Sequence, residues 1–285
     1  MKPAPFQYHA PKTLDEALTK LGEVASDDGR VLAGGQSLVP TMAFRLARPK
    51  HLVDINGVAE LSRLGVEAGK LRIGATVRHA AFETPAVSGP LGELLADVVR
   101  HIAHKPIRAR GTFCGSVAHA DPASEWCLVA AALDAEMVVS STRGTRVVPA
   151  EKFFDAIMTT ALEDYELLAE VRLPLLPPDT RFGFYEFSRR AGDFAIAMAL
   201  VTYRLKDNKI IEPRVAIGGV EAFPRRVASA EAAIDGHAPH ADVYAAAADV
   251  AANDVDPLED AMNSADYRRG LVRTVVMRAL ERAAS

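Results

Sequence analysis

Along the N-terminal part of the chain the apolar positions switch repeatedly between helical and strand spacing. Thr13 with Glu16 is a capping-box pattern that opens a helix running to about Leu21. The short run Arg30 to Leu32 predicts a strand, after which Leu38, Met42 and Leu46 recur at helical spacing until Pro49 ends the run. His51 to Ile55 and Lys70 to Val77 alternate or run apolar, as strands do. Leu91, Leu94, Leu95, Val98 and Ile102 share one face of a predicted helix that stops before Pro106. From there a long loop is predicted through Asp121-Pro122. It leads to a helix from about Ala123 to Leu133 and strands near Glu136 to Ser140 and Leu167 to Leu173.

Pro174, Pro177 and Pro178 interrupt the stretch Leu173 to Asp179 so densely that neither a helix nor a central strand can continue, which puts the domain boundary there. Residues 1–175 then form one domain and 176–285 a second. Beyond the boundary, Tyr185 to Ser188, Ala197 to Leu205 and Ile210 to Val220 read as strands, the last two joined by the turn Lys206-Asp207-Asn208-Lys209. Helices are expected near Ala228 to Ile234, Val243 to Ala252 and Ala265 to Arg282. Strands followed by helices predict an α+β domain with helices on one face of a sheet.

Composition narrows the function classes. With 285 residues, 49% hydrophobic and 25% charged, the chain is globular and large enough for two domains. No apolar run reaches the roughly 18 residues that a bilayer requires, and MKPAPFQYHAPKTLDEAL has no apolar signal core, so the expected location is cytoplasmic. A net charge of −4 with scattered basic residues leaves no footprint for nucleic acid. Cys114 and Cys127 are the only cysteines, too few for a disulfide framework or an iron–sulfur cluster, so any metal redox centre must lie on another chain.

Two segments carry candidate chemistry. Leu32-Ala33-Gly34-Gly35-Gln36-Ser37-Leu38 lies between a predicted strand and helix, where successive backbone N–H groups and the helix start can hold a phosphate without any Lys or Arg. A simple left-handed turn is the plain alternative, and the Rossmann glycine spacing is absent. The second segment, Arg110 to Glu125, again places small and hydroxyl residues before a helix; by itself it reads equally well as an ordinary polar loop. No Ser/His/Asp arrangement suggests nucleophilic catalysis, so the chemistry falls to a bound cofactor and the chain is assigned no catalytic residue.

Together and in order, AGGQSL, RLARPKHLVDIN, GTFCGSVAHADPASE, LLAEVRLP and YEFSRRAGDFA resemble the FAD-binding subunit of the carbon monoxide dehydrogenase and xanthine dehydrogenase family of molybdenum hydroxylases, nearly end to end. The resemblance implies a two-subdomain FAD-binding fold of the PCMH type, with subdomains at about 1–57 and 58–175. A C-terminal α+β domain with a three-stranded antiparallel sheet and helices follows. It implies non-covalent FAD on this chain, the medium subunit of a heterotrimer, with 2Fe-2S clusters on a small subunit and the molybdopterin cofactor on a large one, usually as a dimer of heterotrimers. Electrons from substrate would pass through the clusters to FAD and on to an acceptor.

By the same resemblance, Leu32 to Leu38 correspond to the first pyrophosphate loop, and Gly111, Thr112, Cys114, Gly115, Ser116 and His119 to the second. Glu125 takes the acidic position that bonds ribose, Leu167 and Leu168 the position against the isoalloxazine, and Tyr185 and Asp193 positions beside the flavin. Cys114-Gly115 replaces the family's usual Gly-Gly, and Glu125 is one methylene longer than the Asp of many relatives.

Elsewhere the plain readings prevail. His101 and His104 lack a third metal ligand nearby, Cys114 is a small residue in a tight segment rather than a thioether anchor, and Trp126 and Met137 belong to the core. Arg189-Arg190 suits either an anionic partner or a solvated strand edge. Two other functions fit the same folds: a self-contained flavin reductase like the enolpyruvyl-sugar reductases, and a flavin-binding scaffold without electron transfer.

Overall fold

A computed structural model describes residues 2–284. Strand β1 (Gln7–His9), helix α1 (Leu14–Val24), strand β2 (Gly29–Leu32), helix α2 (Leu38–Ala43) and strand β3 (His51–Asp54) form the first unit, a parallel sheet in the order β1-β3-β2. Thr13 caps α1, its Oγ1 accepting from Glu16 N at 3.2 Å, while Glu16 accepts from Lys12 N at 2.7 Å. Strand β1 is too short and polar to show a period, which is why the sequence gives no sign of it. Helix α2 stops before Leu46 because Arg45 adopts a left-handed φ of 58°.

The second unit contains β4 (Leu64–Glu67), β5 (Lys70–Gly74), α3 (Pro90–Val98), α4 (Lys105–Arg108), α5 (Phe113–His119), α6 (Glu125–Ala132), β6 (Glu136–Ser141), β7 (Gly144–Pro149), β8 (Phe154–Ala156), β9 (Thr159–Thr160) and β10 (Leu167–Pro174). Its main sheet is antiparallel in the order β4-β5-β10-β6-β7. The segment expected as a long loop holds two helices, α4 and α5. Small and hydroxyl residues hid α5. It forms because Thr112 caps it, with Oγ1 accepting from Gly115 N at 3.0 Å, and because Phe113 and Val117 bury fully. Helix α6 is buried from Glu125 to Ala130, so it shows no apolar stripe; it is the helix at the centre of the molecule.

The C-terminal part pairs β11 (Arg181–Phe187), β12 (Ala197–Lys206) and β13 (Lys209–Gly218) antiparallel, the three-stranded sheet expected, and the two-residue β14 (Arg225–Arg226) extends its edge. The β12–β13 hairpin turns through Asp207 and Asn208 at φ of 52° and 58°, as a primed turn requires. Helices α7 (Ala228–Ile234), α8 (Ala241–Asp254) and α9 (Ala265–Ala284) cover one face, packing on Ala197, Ala199, Val201 and Tyr203. On the other face Met198, Leu200 and Ala216 join the core that surrounds α6, so apolar packing is continuous from the second unit into the C-terminal sheet.

Candidate functional site

The first loop leaves β2 at Leu32, turns through Ala33 to Ser37 and enters α2 at Leu38. Gly35 has φ of +71°, which only glycine adopts cheaply. Gly34 is required for a different reason: a Cβ there would overlap the Arg110 carbonyl oxygen and lie 2.6 Å from Gly111 Cα. The two candidate loops are thus in direct backbone contact. Among the described residues, the N–H groups of Gly34, Gly35, Gln36 and Ser37 find no protein acceptor, while Gln36 Nε2 donates back to the Gly34 carbonyl at 3.0 Å. Successive free donors beside a helix start fit a phosphate group, which is the fit that a flavin dinucleotide demands.

In the second segment several of the donors are already used. Phe113 N donates to the Val77 carbonyl, and Gly115 N and Ser116 N are both bonded to Thr112. Thr112 is therefore a helix cap, Gly115 is glycine because a Cβ would sit 2.5 Å from Thr112 Oγ1, and the half-buried Ser116 and His119 are the side chains left open. Cys114 is helical and buried, with Sγ 3.3 Å from the Ile73 carbonyl, so a second glycine is not needed there. Burial pushes its thiol far above the ordinary range, leaving no thiolate for a covalent flavin link.

Beneath the segment lies a support that the sequence did not reveal. His79 N donates to the Gly111 carbonyl at 3.0 Å, and Trp126 Nε1 donates to His79 Nδ1 at 2.9 Å. Burial, then the cations Arg78 and Arg108, lowers His79 to about 4, so its ring is neutral and Nδ1 can accept. Trp126 also packs at a tilt against Phe113 and Phe82, at centroid distances of 4.7 and 5.3 Å.

Glu125 opens α6 but is buried, beside Glu186 on β11, whose Oε2 is buried without a hydrogen-bond partner unless one of the two carboxyls carries a proton. Burial raises both groups above the carboxylate range, with Asp121 adding to Glu125 and Glu125 adding to Glu186. Ser188 opposes the rise at Glu186 by hydrogen bonding, and His101 Nδ1 lies 4.0 Å from Glu186 Oε2. The pair holds a proton that the unfolded chain would release above about pH 4.3. Its contribution to stability is therefore full in acid and lost as pH rises through the raised native value. The wild type should lose about 1.4 kcal/mol per pH unit relative to Glu186→Gln, in which the amide donates permanently, across that window. Thermal melts of both proteins from mildly acidic to mildly alkaline buffer would measure it, and parallel curves would contradict a shared proton.

Leu167 and Leu168 are buried on β10, against which α5 packs. Tyr185 faces the C-terminal core, its ring 4.9 Å from the Arg282 guanidinium, and Asp193 is exposed in the turn after β11. Neither is hydrogen-bonded to the two loops among the described residues, although Gly192 sits close against His104. His101 packs edge-on to Phe184 at 4.9 Å, Met137 and Trp126 are core residues, and no cluster of three or more His, Cys, Asp or Glu suited to a metal occurs among the described residues.

A family model described as the FAD binding domain in molybdopterin dehydrogenase matches residues 4–176, and one described as the CO dehydrogenase flavoprotein C-terminal domain matches residues 182–283. The chain belongs to this family of FAD-binding subunits of molybdenum hydroxylases. It is 36% identical to the nicotine 6-hydroxylase medium subunit of Paenarthrobacter nicotinovorans, covering 99% of each chain. Against the carbon monoxide dehydrogenase medium chain of Hydrogenophaga pseudoflava it is also 36% identical, covering 99% of this chain and 98% of that one. The solved carbon monoxide dehydrogenase of that organism superposes with a TM-score of 0.95 at 36% identity, covering 100% of this chain and 99% of the other; quinoline 2-oxidoreductase from Pseudomonas putida 86 gives 0.92 at 34%, with the same coverages. These relatives favour the multi-subunit reading over a self-contained reductase or a scaffold. No helix among the described residues is long and apolar enough to cross a membrane.

Proposed function

We propose that the chain holds FAD non-covalently, with the pyrophosphate between Ala33–Leu38 and the start of α5 and the isoalloxazine toward Leu167 and Leu168. The observation that carries this reading is the row of unbonded N–H groups from Gly34 to Ser37, set against the second segment by a glycine that nothing larger can replace. Ser116 and His119 would bond the phosphates or ribityl chain, and Asp193 would line the outer side of the flavin; Tyr185, packed toward the C-terminal helices, has no support for such a place. A ribose contact from Glu125 has the least support, since its carboxyl is buried against Glu186. FAD held by these residues would supply the redox chemistry between the iron–sulfur clusters of a partner and an external acceptor. The protein's part is to hold the cofactor, shape its surroundings and exclude water.

In this reading the chain is the medium subunit of a cytoplasmic heterotrimer, joined to a 2Fe-2S small subunit and a molybdopterin large subunit and assembled as a dimer of heterotrimers. Phe44 and Leu46, 70% and 82% exposed just beyond the first loop, are surface of the kind that a partner covers. The isolated chain is expected to release its FAD intact on acid denaturation, to be bleached by dithionite, and to oxidise no organic substrate until both partners are added. Flavin that stays with the denatured polypeptide, or turnover by the chain alone at the rate of the complex, would overturn the proposal.

A further inference from the structure

Two polar side chains outside both loops join them. Asn56, just beyond β3, donates from Nδ2 to the Ala33 carbonyl at 2.8 Å, and its Oδ1 accepts from Arg78 Nη2 at 2.5 Å. Arg78 in turn donates from Nη1 to the Arg110 carbonyl, and its backbone bridges to Thr112. A continuous line of hydrogen bonds thus runs from the first loop through Asn56 and Arg78 to the second. Asp54 steadies it, its Oδ1 accepting from Asn56 N at 2.9 Å and its Oδ2 from the Tyr8 hydroxyl at 2.5 Å.

The charge of Arg78 is not neutralised there. Both of its acceptors are uncharged, and among the described residues no carboxylate lies within ion-pair distance of its guanidinium. Asp54 acts only from across Asn56, and Arg110 opposes it. A half-buried cation without an anion is costly. This one stands where two loops meet, beside four free N–H groups, so the group that would complete it is an anion held between the loops. Helix α2 has only six residues and contributes a modest dipole.

We propose that Arg78, oriented by Asn56, sets the separation of the two loops and supplies the positive charge that pairs with the FAD pyrophosphate. The inference rests on the reading that the pyrophosphate lies between these loops. Its test is FAD binding to the full-length apo chain, followed by flavin fluorescence at low and high salt, with ADP as a competitor that carries the pyrophosphate without the flavin. Arg78→Gln should weaken FAD and ADP alike by about thirtyfold at low salt and flatten the salt dependence. Arg78→Lys should keep the salt dependence but regain only part of the affinity, because it cannot bond Asn56 and the Arg110 carbonyl as a fork. Asn56→Ala should weaken binding while leaving the salt dependence intact. Wild-type affinity for FAD and ADP in Arg78→Gln would overturn the charge role. Should that variant not fold, full wild-type affinity in Arg78→Lys would overturn the fork. Gly34→Ala separates the two levels: FAD binding there at wild-type strength removes the loop reading itself, whereas its loss beside an unimpaired Arg78→Gln removes only the role of Arg78.

Discussion

Gly34→Ala is expected to empty the chain of FAD, weakening binding by about a hundredfold or more, equivalent to roughly 2.7 kcal/mol. The added methyl has no free space: it meets the Arg110 carbonyl and Gly111 Cα, both backbone, so the two loops must move apart. That displacement separates the free N–H groups of the first loop from the start of α5. Gly35→Ala is a useful contrast. Its φ of +71° costs about 1 kcal/mol for an alanine, but its nearest neighbours are the side-chain methyls of Leu32 and Val39 at 3.2 Å, which can yield. FAD content per chain, measured by absorbance after purification, should therefore fall much further for Gly34→Ala. The melting of the C-terminal sheet and helices should be preserved in both. Equal retention of flavin would mean that the loops do not act together.

Trp126→Ala should be the most destabilising single substitution near the site, costing about 3–5 kcal/mol. Trp126 is fully buried among Phe82 and Phe113, and its indole N–H is the partner that fixes His79. Removing it leaves a cavity and an unpaired Nδ1 on the His79 ring, whose Nε2 edge lies against Gly111, so weaker FAD binding should accompany the lower midpoint in denaturant. Trp126→Phe fills most of the volume but keeps the histidine unpaired, and should recover the larger part of the stability. A Trp126→Ala protein with wild-type midpoint would show that the aromatic cluster does not support the second segment.

The parts of this architecture that local chemistry dictates were legible from sequence. The Thr13 cap, the strand before Gly34-Gly35 and the Asp207-Asn208 turn each need particular residue types at particular spacings, and each lies where that pattern puts it. What stayed hidden depends on partners distant in sequence. Helix α5 has a loop-like composition and is held by one cap and two buried apolar side chains. Edge strand β7 is largely exposed and carries no alternation to read. The candidate site divides in the same way. Both glycine segments stand out in the sequence, but Asn56, Arg78, His79 and Glu186 are ordinary residues until the fold brings them to Ala33, Arg110, Gly111 and Glu125.

Electron entry can be observed directly in the assembled enzyme. In a complex with both partners, anaerobic substrate should bleach the flavin absorbance of this chain; in a preparation that lacks only the cluster-bearing subunit, the same substrate should leave the flavin oxidised while dithionite still reduces it. Flavin reduction by substrate without the cluster subunit would contradict the account, because this chain would then be taking electrons by itself.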